Sequence, residues 1–123
     1  MDSQAVLETL DQDMREWRVK GMNGSPEERA EFLKSCFHGA RFNMRAALLA
    51  TPILRPGKTR REVFDEIVPK VIENVAEQGR NSGYTDEQVK LYVDAHERAY
   101  RALAGEFGFV EMHHGELESL EKF

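Results

Sequence analysis

The stretch Ser25-Pro26-Glu27-Glu28-Arg29-Ala30-Glu31-Phe32-Leu33-Lys34-Ser35-Cys36-Phe37 decides the fold. Ser25 offers a side-chain oxygen to the free N–H groups of a first helical turn. Pro26 has φ already set for the first helical position, and Glu27 and Glu28 place carboxylates at the positive end of the helix dipole. Beyond this start, Phe32, Leu33, Cys36, Phe37, Ala40, Met44, Ala47 and Leu48 recur at helical spacing and form one apolar stripe. The spacing predicts a long helix over residues 26–50. A second, narrower stripe holds Phe42, Ala46 and Leu49. A helix with two apolar sides is expected to be covered twice, as a central helix or an oligomer contact is.

Upstream, Val6, Leu7, Leu10, Met14 and Trp17 share one face of a helix over residues 4–20, with Ser3 as its expected N-cap. Gly21 and the Met22-Asn23-Gly24 turn end it. Downstream, two prolines and a glycine in Thr51-Pro52-Ile53-Leu54-Arg55-Pro56-Gly57 are expected to end the second helix. Thr59 and Glu62 have capping-box spacing, and Val63, Phe64, Ile67, Val68, Val71, Ile72 and Val75 continue as a third helix with a kink, not a break, at Pro69. After Gly79 to Gly83, Thr85 and Gln88 form another capping box. A fourth helix follows, its inner face lined by Val89, Tyr92, Val93, His96, Ala99, Tyr100, Leu103 and Phe107, with Asp94–Arg98 and Glu97–Arg101 pairs outside. Residues 109–123 read as a less ordered tail with a short helical turn from Glu116. No stretch alternates apolar and polar residues for long enough to predict a strand. The expectation is an all-α chain, a compact four-helix bundle with a possible short C-terminal helix, in a single domain over residues 1–123.

Composition limits the function classes. Hydrophobic residues make up 41% and charged residues 32%, too apolar for a disordered chain and too charged for a membrane span. A chain of this length buries about 65% of its unfolded surface, enough to need no disulfide or metal. The single cysteine, Cys36, and the lack of a leader-like start point to a reducing, cytoplasmic setting. The net charge of −5 disfavours general attraction to nucleic acid. That charge is unevenly spread. Phe32 to Arg61 holds no Asp or Glu but seven basic residues: Lys34, Arg41, Arg45, Arg55, Lys58, Arg60 and Arg61. Arg60 and Arg61 fall in a first helical turn, against the dipole, so a compensating contact is expected. Two readings follow: an anion or acidic-protein site, or neutralisation by neighbouring acidic faces, which is the commoner outcome for surface charge.

No catalytic set is expected. Cys36 and His38 are two residues apart on a helix and point in different directions, so they cannot act as nucleophile and base. Cys36 reads as a small buried hydrophobe and His96 as a hydrogen-bonded core histidine beside Tyr92 and Tyr100. Glu111, His113, His114 and Glu116 lack the spacing of an ordered metal site. Phosphate loops, nucleophile elbows and paired Cys-x-x-Cys are absent from the sequence, so no metal and no cofactor are expected.

The favoured expectation is a small protein-binding regulator, such as an inhibitor, antiactivator, adaptor or immunity-type protein. It would be homodimeric and act by covering the surface of another, acidic protein. Its partner-binding residues would be Phe42, Arg45, Leu49, Ile53, Leu54, Arg55, Lys58, Arg60 and Arg61, where surplus apolar side chains adjoin the basic segment. The alternatives are nucleic-acid or anion binding through residues 34–61 and a ligand-binding or enzymatic bundle with a pocket near His96.

Overall fold

A computed structural model describes residues 2–123. Among these residues six helices follow one another: α1 (Ser3–Met22), α2 (Pro26–Leu49), α3 (Thr51–Leu54), α4 (Arg60–Asn81), α5 (Asp86–Glu106) and α6 (Glu116–Leu120). No strand occurs among the described residues, and the chain forms an all-α bundle.

Local chemistry places most boundaries where the sequence put them. Thr59 accepts from the Glu62 N–H and Glu62 accepts from the Thr59 N–H, at 3.1 and 3.0 Å. Thr85 and Gln88 repeat that exchange at 3.1 and 3.0 Å. Ser25 and Glu28 do so as well, both at 3.2 Å, a reciprocal partnership in addition to the expected cap. α1 differs by one residue. Asp2, not Ser3, is its N-cap, accepting from the Ala5 N–H at 2.8 Å.

The stop after α2 also differs. Ala50 keeps an αR conformation and the chain makes one more turn, α3, with Pro52 in its first positions, where a missing N–H is not needed. The path breaks only at Arg55 to Gly57, where Gly57 takes φ +90°. α4 runs unbroken through Pro69.

α5 is the central helix. Ala95, Ala99, Ala102 and Leu103 are fully or almost fully buried along it, and α2, α4 and α6 all pack on it. Small side chains at three of those four positions let neighbouring helices come close on more than one side. Within the chain α5 takes the central place, and the second stripe of α2 is left without a cover. On α2 the broad stripe is buried through Phe32, Leu33, Cys36, Phe37, Met44 and Leu48, while Phe42 and Leu49 face outward. Phe32 stacks on Tyr92 with centroids 6.2 Å apart, and Tyr84 meets Tyr92 edge-on at 5.5 Å.

The chain end returns to the body. Phe123 packs against Phe37 at 5.8 Å, and the Arg98 guanidinium lies 4.6 Å from the Phe123 ring centre. Gly105 lies directly under Met112, where a Cβ would overlap the methionine side chain.

α1 joins the bundle only by its C-terminal end. Met22 is its one buried residue. Trp17 packs edge-on against Phe32 at 4.8 Å. Arg18 donates to Ser82 Oγ at 2.9 Å and accepts from Tyr84 through its carbonyl at 2.7 Å. Gly21 sits beneath the Phe32 ring with no room for a Cβ. The rest of the apolar face is uncovered: Leu7 is 61% exposed, Leu10 55% and Met14 50%.

Candidate interaction surfaces

The expected partner-binding residues divide into an apolar set and a basic set. Phe42, Leu49 and Ile53 recur at steps of seven and four, which places them on one side of a helical path continued through Ala50, with Leu54 beside them. All four are open to solvent: Phe42 is 68% exposed, Leu49 54%, Ile53 82% and Leu54 70%. Large apolar side chains scattered singly are ordinary on a surface, and these four stand out by following one path.

The basic set is engaged within the chain. Arg45 makes a two-pronged contact with Glu106, Nε to Oε2 at 2.7 Å and Nη2 to Oε1 at 2.5 Å. Arg41 bridges Glu106 and Glu121, both at 3.2 Å. Arg55 and Lys58 converge on Glu66 at 3.1 and 2.9 Å. Arg61 reaches Asp65 at 3.7 Å and donates to the Phe109 carbonyl at 2.8 Å. Arg60 donates to the Leu48 carbonyl at 3.1 Å.

That last bond supplies the contact which two arginines in a first turn called for, because the negative C-terminal end of α2 offsets the positive start of α4. The neighbouring guanidinium and ammonium groups hold the Glu106 and Glu66 carboxyls below their ordinary range; for each the hydrogen bond to its basic partner, Arg45 and Lys58 respectively, is the largest cause. The segment thus carries charge that is largely answered by α4, α5 and α6.

A cleft of about 510 Å³ opens between α1 and α4 above α2. Met14 and Trp17 form the α1 wall, and Ile67, Val71 and Val75 form the α4 wall. Cys36, Tyr92, His96 and Tyr100 also line it, so the pocket expected near His96 has a counterpart in the fold.

The chemistry of its titratable groups is quiet. His96 Nδ1 lies 2.8 Å from the Tyr92 carbonyl, a partner that accepts only from N–H, so the ring is the Nδ1–H tautomer. Burial lowers the His96 pKa, which keeps the ring neutral. Burial also pushes the Cys36 thiol up to about 12, so it is not a thiolate at neutral pH. The same cause raises Tyr92 and Tyr100 to about 12.

Elsewhere, His38 lies edge-on to Phe37 at 5.2 Å. His113 uses its backbone N–H to bond Glu116 at 2.9 Å, and Arg101 holds the same carboxylate at 2.8 Å instead of pairing with Glu97. No group of three or more potential metal ligands occurs among the described residues.

Sequence reasoning expected a pocket near His96 but missed the exposure of Val6, Leu7 and Leu10 on the first helix. The one signal present was charge: residues 2–13 carry Asp2, Glu8, Asp11 and Asp13 without a cation, so this part of the first helix has few means of pairing within itself. Comparisons with protein families, curated proteins and solved structures found no match.

Proposed function

We propose that this chain is a protein-binding module that acts by covering the surface of another protein through the row Phe42, Leu49, Ile53 and Leu54. The observation that carries the reading is the alignment of these four exposed side chains along α2 and α3. Burying one such side chain stabilises a complex by about 1.5–3 kcal/mol when the burial is complete. A row of this kind supplies the central anchor that interfaces concentrate their binding energy in. Arg45 and Arg55 flank it, each already paired with a carboxylate, so they offer a neutralised polar rim more than a field that steers an acidic partner. A regulatory role, as an inhibitor, antiactivator or adaptor, is the form of this function that needs no catalytic apparatus.

A reducing cytoplasm is the compartment proposed with it, supported by the free, buried thiol of Cys36. No helix of the described residues is long and apolar enough to cross a membrane. Nucleic-acid binding draws less support, because Arg41, Arg45, Arg55, Lys58 and Arg61 already face carboxylates and free cations are what supply phosphate affinity.

The test is a comparative capture from source-cell lysate with the tagged chain and its Ile53→Asp/Leu54→Asp variant. A protein retained stoichiometrically by the first and lost by the second is the expected result. An identical bound set for both would remove the row from the account.

A further inference from the structure

The cleft and the uncovered face of α1 are two parts of one unfinished packing arrangement. α2, α4 and α5 close on one another, whereas α1 meets α2 near Trp17 and leaves open space between itself and α4. Along that opening α2 presents the small residues Ser35 and Gly39, followed by Asn43, so an incoming helix meets little obstruction. A Cβ built at Gly39 has no atom within 4 Å.

We propose that a second copy of this chain fills the space. The α1 helices of two copies pair antiparallel about Leu10, each resting in the other's cleft. The proposal is independent of the docking row on α2 and α3.

Three observations select this occupant. The first is charge. The Asp2 cap and the first part of α1 hold Asp2, Glu8, Asp11 and Asp13 and no cation, while Arg15, Arg18 and Lys20 follow with only Glu16 among them. Antiparallel pairing sets the acidic half of each helix against the basic half of the other. Parallel pairing would stack like on like, so the sequence specifies orientation as well as attraction.

The second is the absence of other support. Side-chain hydrogen bonds of the first part of α1 and its cap stay local: the Ala5 N–H to Asp2, Gln4 to Glu8, Thr9 to the Ala5 carbonyl and Gln12 to Glu16. A free helical stretch of this length is marginal in water without a packed face. Its own chain does not close over it, because Trp17, Arg18 and Met22 fix the C-terminal end against Phe32, Ser82 and the core.

The third is area. The 20 residues of α1 span about 30 Å at a width of about 10 Å, so covering half the girth of both helices and the two clefts removes more than about 1,000 Å² in total, the size a specific interface needs.

The experiment is light scattering of the full chain across a concentration series, with two variants beside it. The expected mass is twice the 14.1 kDa of one chain. Leu7→Asp/Leu10→Asp should return it to one chain with helical content retained, since neither side chain is in the core. The dissociation constant should rise at least about a hundredfold, because four carboxylates enter one apolar seam. Under oxidation Leu10→Cys should cross-link to itself and Ser3→Cys, at the far end of the same face, should not.

A one-chain mass at every concentration overturns the proposal, whether the cleft then holds a small molecule or solvent. A dimer that survives the double substitution overturns it too. Cross-linking through Ser3→Cys in place of Leu10→Cys contradicts the antiparallel arrangement.

Discussion

α1 and α5 are almost the same length, 20 and 21 residues, and each carries an apolar face at helical spacing. α5 buries seven residues and α1 buries one. Periodicity establishes that a helix has a face to cover, and it is silent about which surface covers it. The composition of the two faces gives the better clue. α5 presents Ala95, Ala99 and Ala102, which admit neighbours on more than one side. α1 presents Leu7, Leu10, Met14 and Trp17, bulky side chains that suit a single partner.

The largest expected difference comes from cutting the same side chain in both helices. Leu103→Ala removes a fully buried residue from the last turn of α5 and should cost about 2–5 kcal/mol in denaturant unfolding. Leu10→Ala should cost no more than about 0.5 kcal/mol in dilute solution, because its side chain stands outside the core. Equal losses would show that α1 is packed against its own chain.

Glycines sharpen the comparison at the next scale. Gly105→Ala pushes a methyl group into Met112 and should destabilise by about 1–3 kcal/mol. Gly39→Ala, on the open floor of the cleft, meets nothing and should stabilise α2 by up to about 1 kcal/mol. Thermal unfolding of the two variants should move in opposite directions.

A pH series isolates the base of the cleft. The folded-state pKa of His96 lies below its ordinary value of 6.5 because burial disfavours the charged ring. The unfolded chain therefore binds the proton first as pH falls through 6.5, and stability should decline from that point downward. The paired carboxylates Glu66, Glu106 and Glu116 begin to matter only below the ordinary carboxylate value of 4.5. Replacing His96 by Gln should flatten the stability profile between those two values and leave the more acidic limb in place.

The smallest effect belongs to the surface ion pairs. Arg45→Met should change stability by about 0–1 kcal/mol, since both partners are about one-third exposed and Arg41 still reaches Glu106. A greater loss would mean that the α2–α5 pairing depends on charge more than on its apolar seam.

The parts of the fold that were legible in the sequence were the local ones. Thr59 with Glu62 and Thr85 with Gln88 announce helix starts because both partners of each cap lie within one turn. Asp2 displaced Ser3 as the first cap because adjacent residues of equal capping ability leave the choice to backbone conformation. α3 escaped notice because Pro52 stops a helix from within but is welcome in the first turn of a new one.

What remained hidden was long-range. Arg45 finds Glu106 sixty-one positions away, and Arg101 prefers Glu116 in a later helix to Glu97 in its own. No local spacing encodes either choice. The sequence made neutralisation of the basic segment the commoner expectation, and the fold supplies the particular carboxylates. The Phe42 and Leu49 stripe was visible from its spacing, whereas its continuation to Ile53 and Leu54 depends on α3, and the shape of the cleft on where α1 leaves α2.

The most direct measurement of the central contrast is amide hydrogen exchange by α1 and α5 at two protein concentrations. The account predicts that α5 is protected at both, and that residues 3–13 exchange quickly when dilute and slowly when concentrated, as their cover arrives from a second copy. Protection of residues 3–13 equal to that of α5 and independent of concentration would contradict it, because the cover would then lie within the single chain.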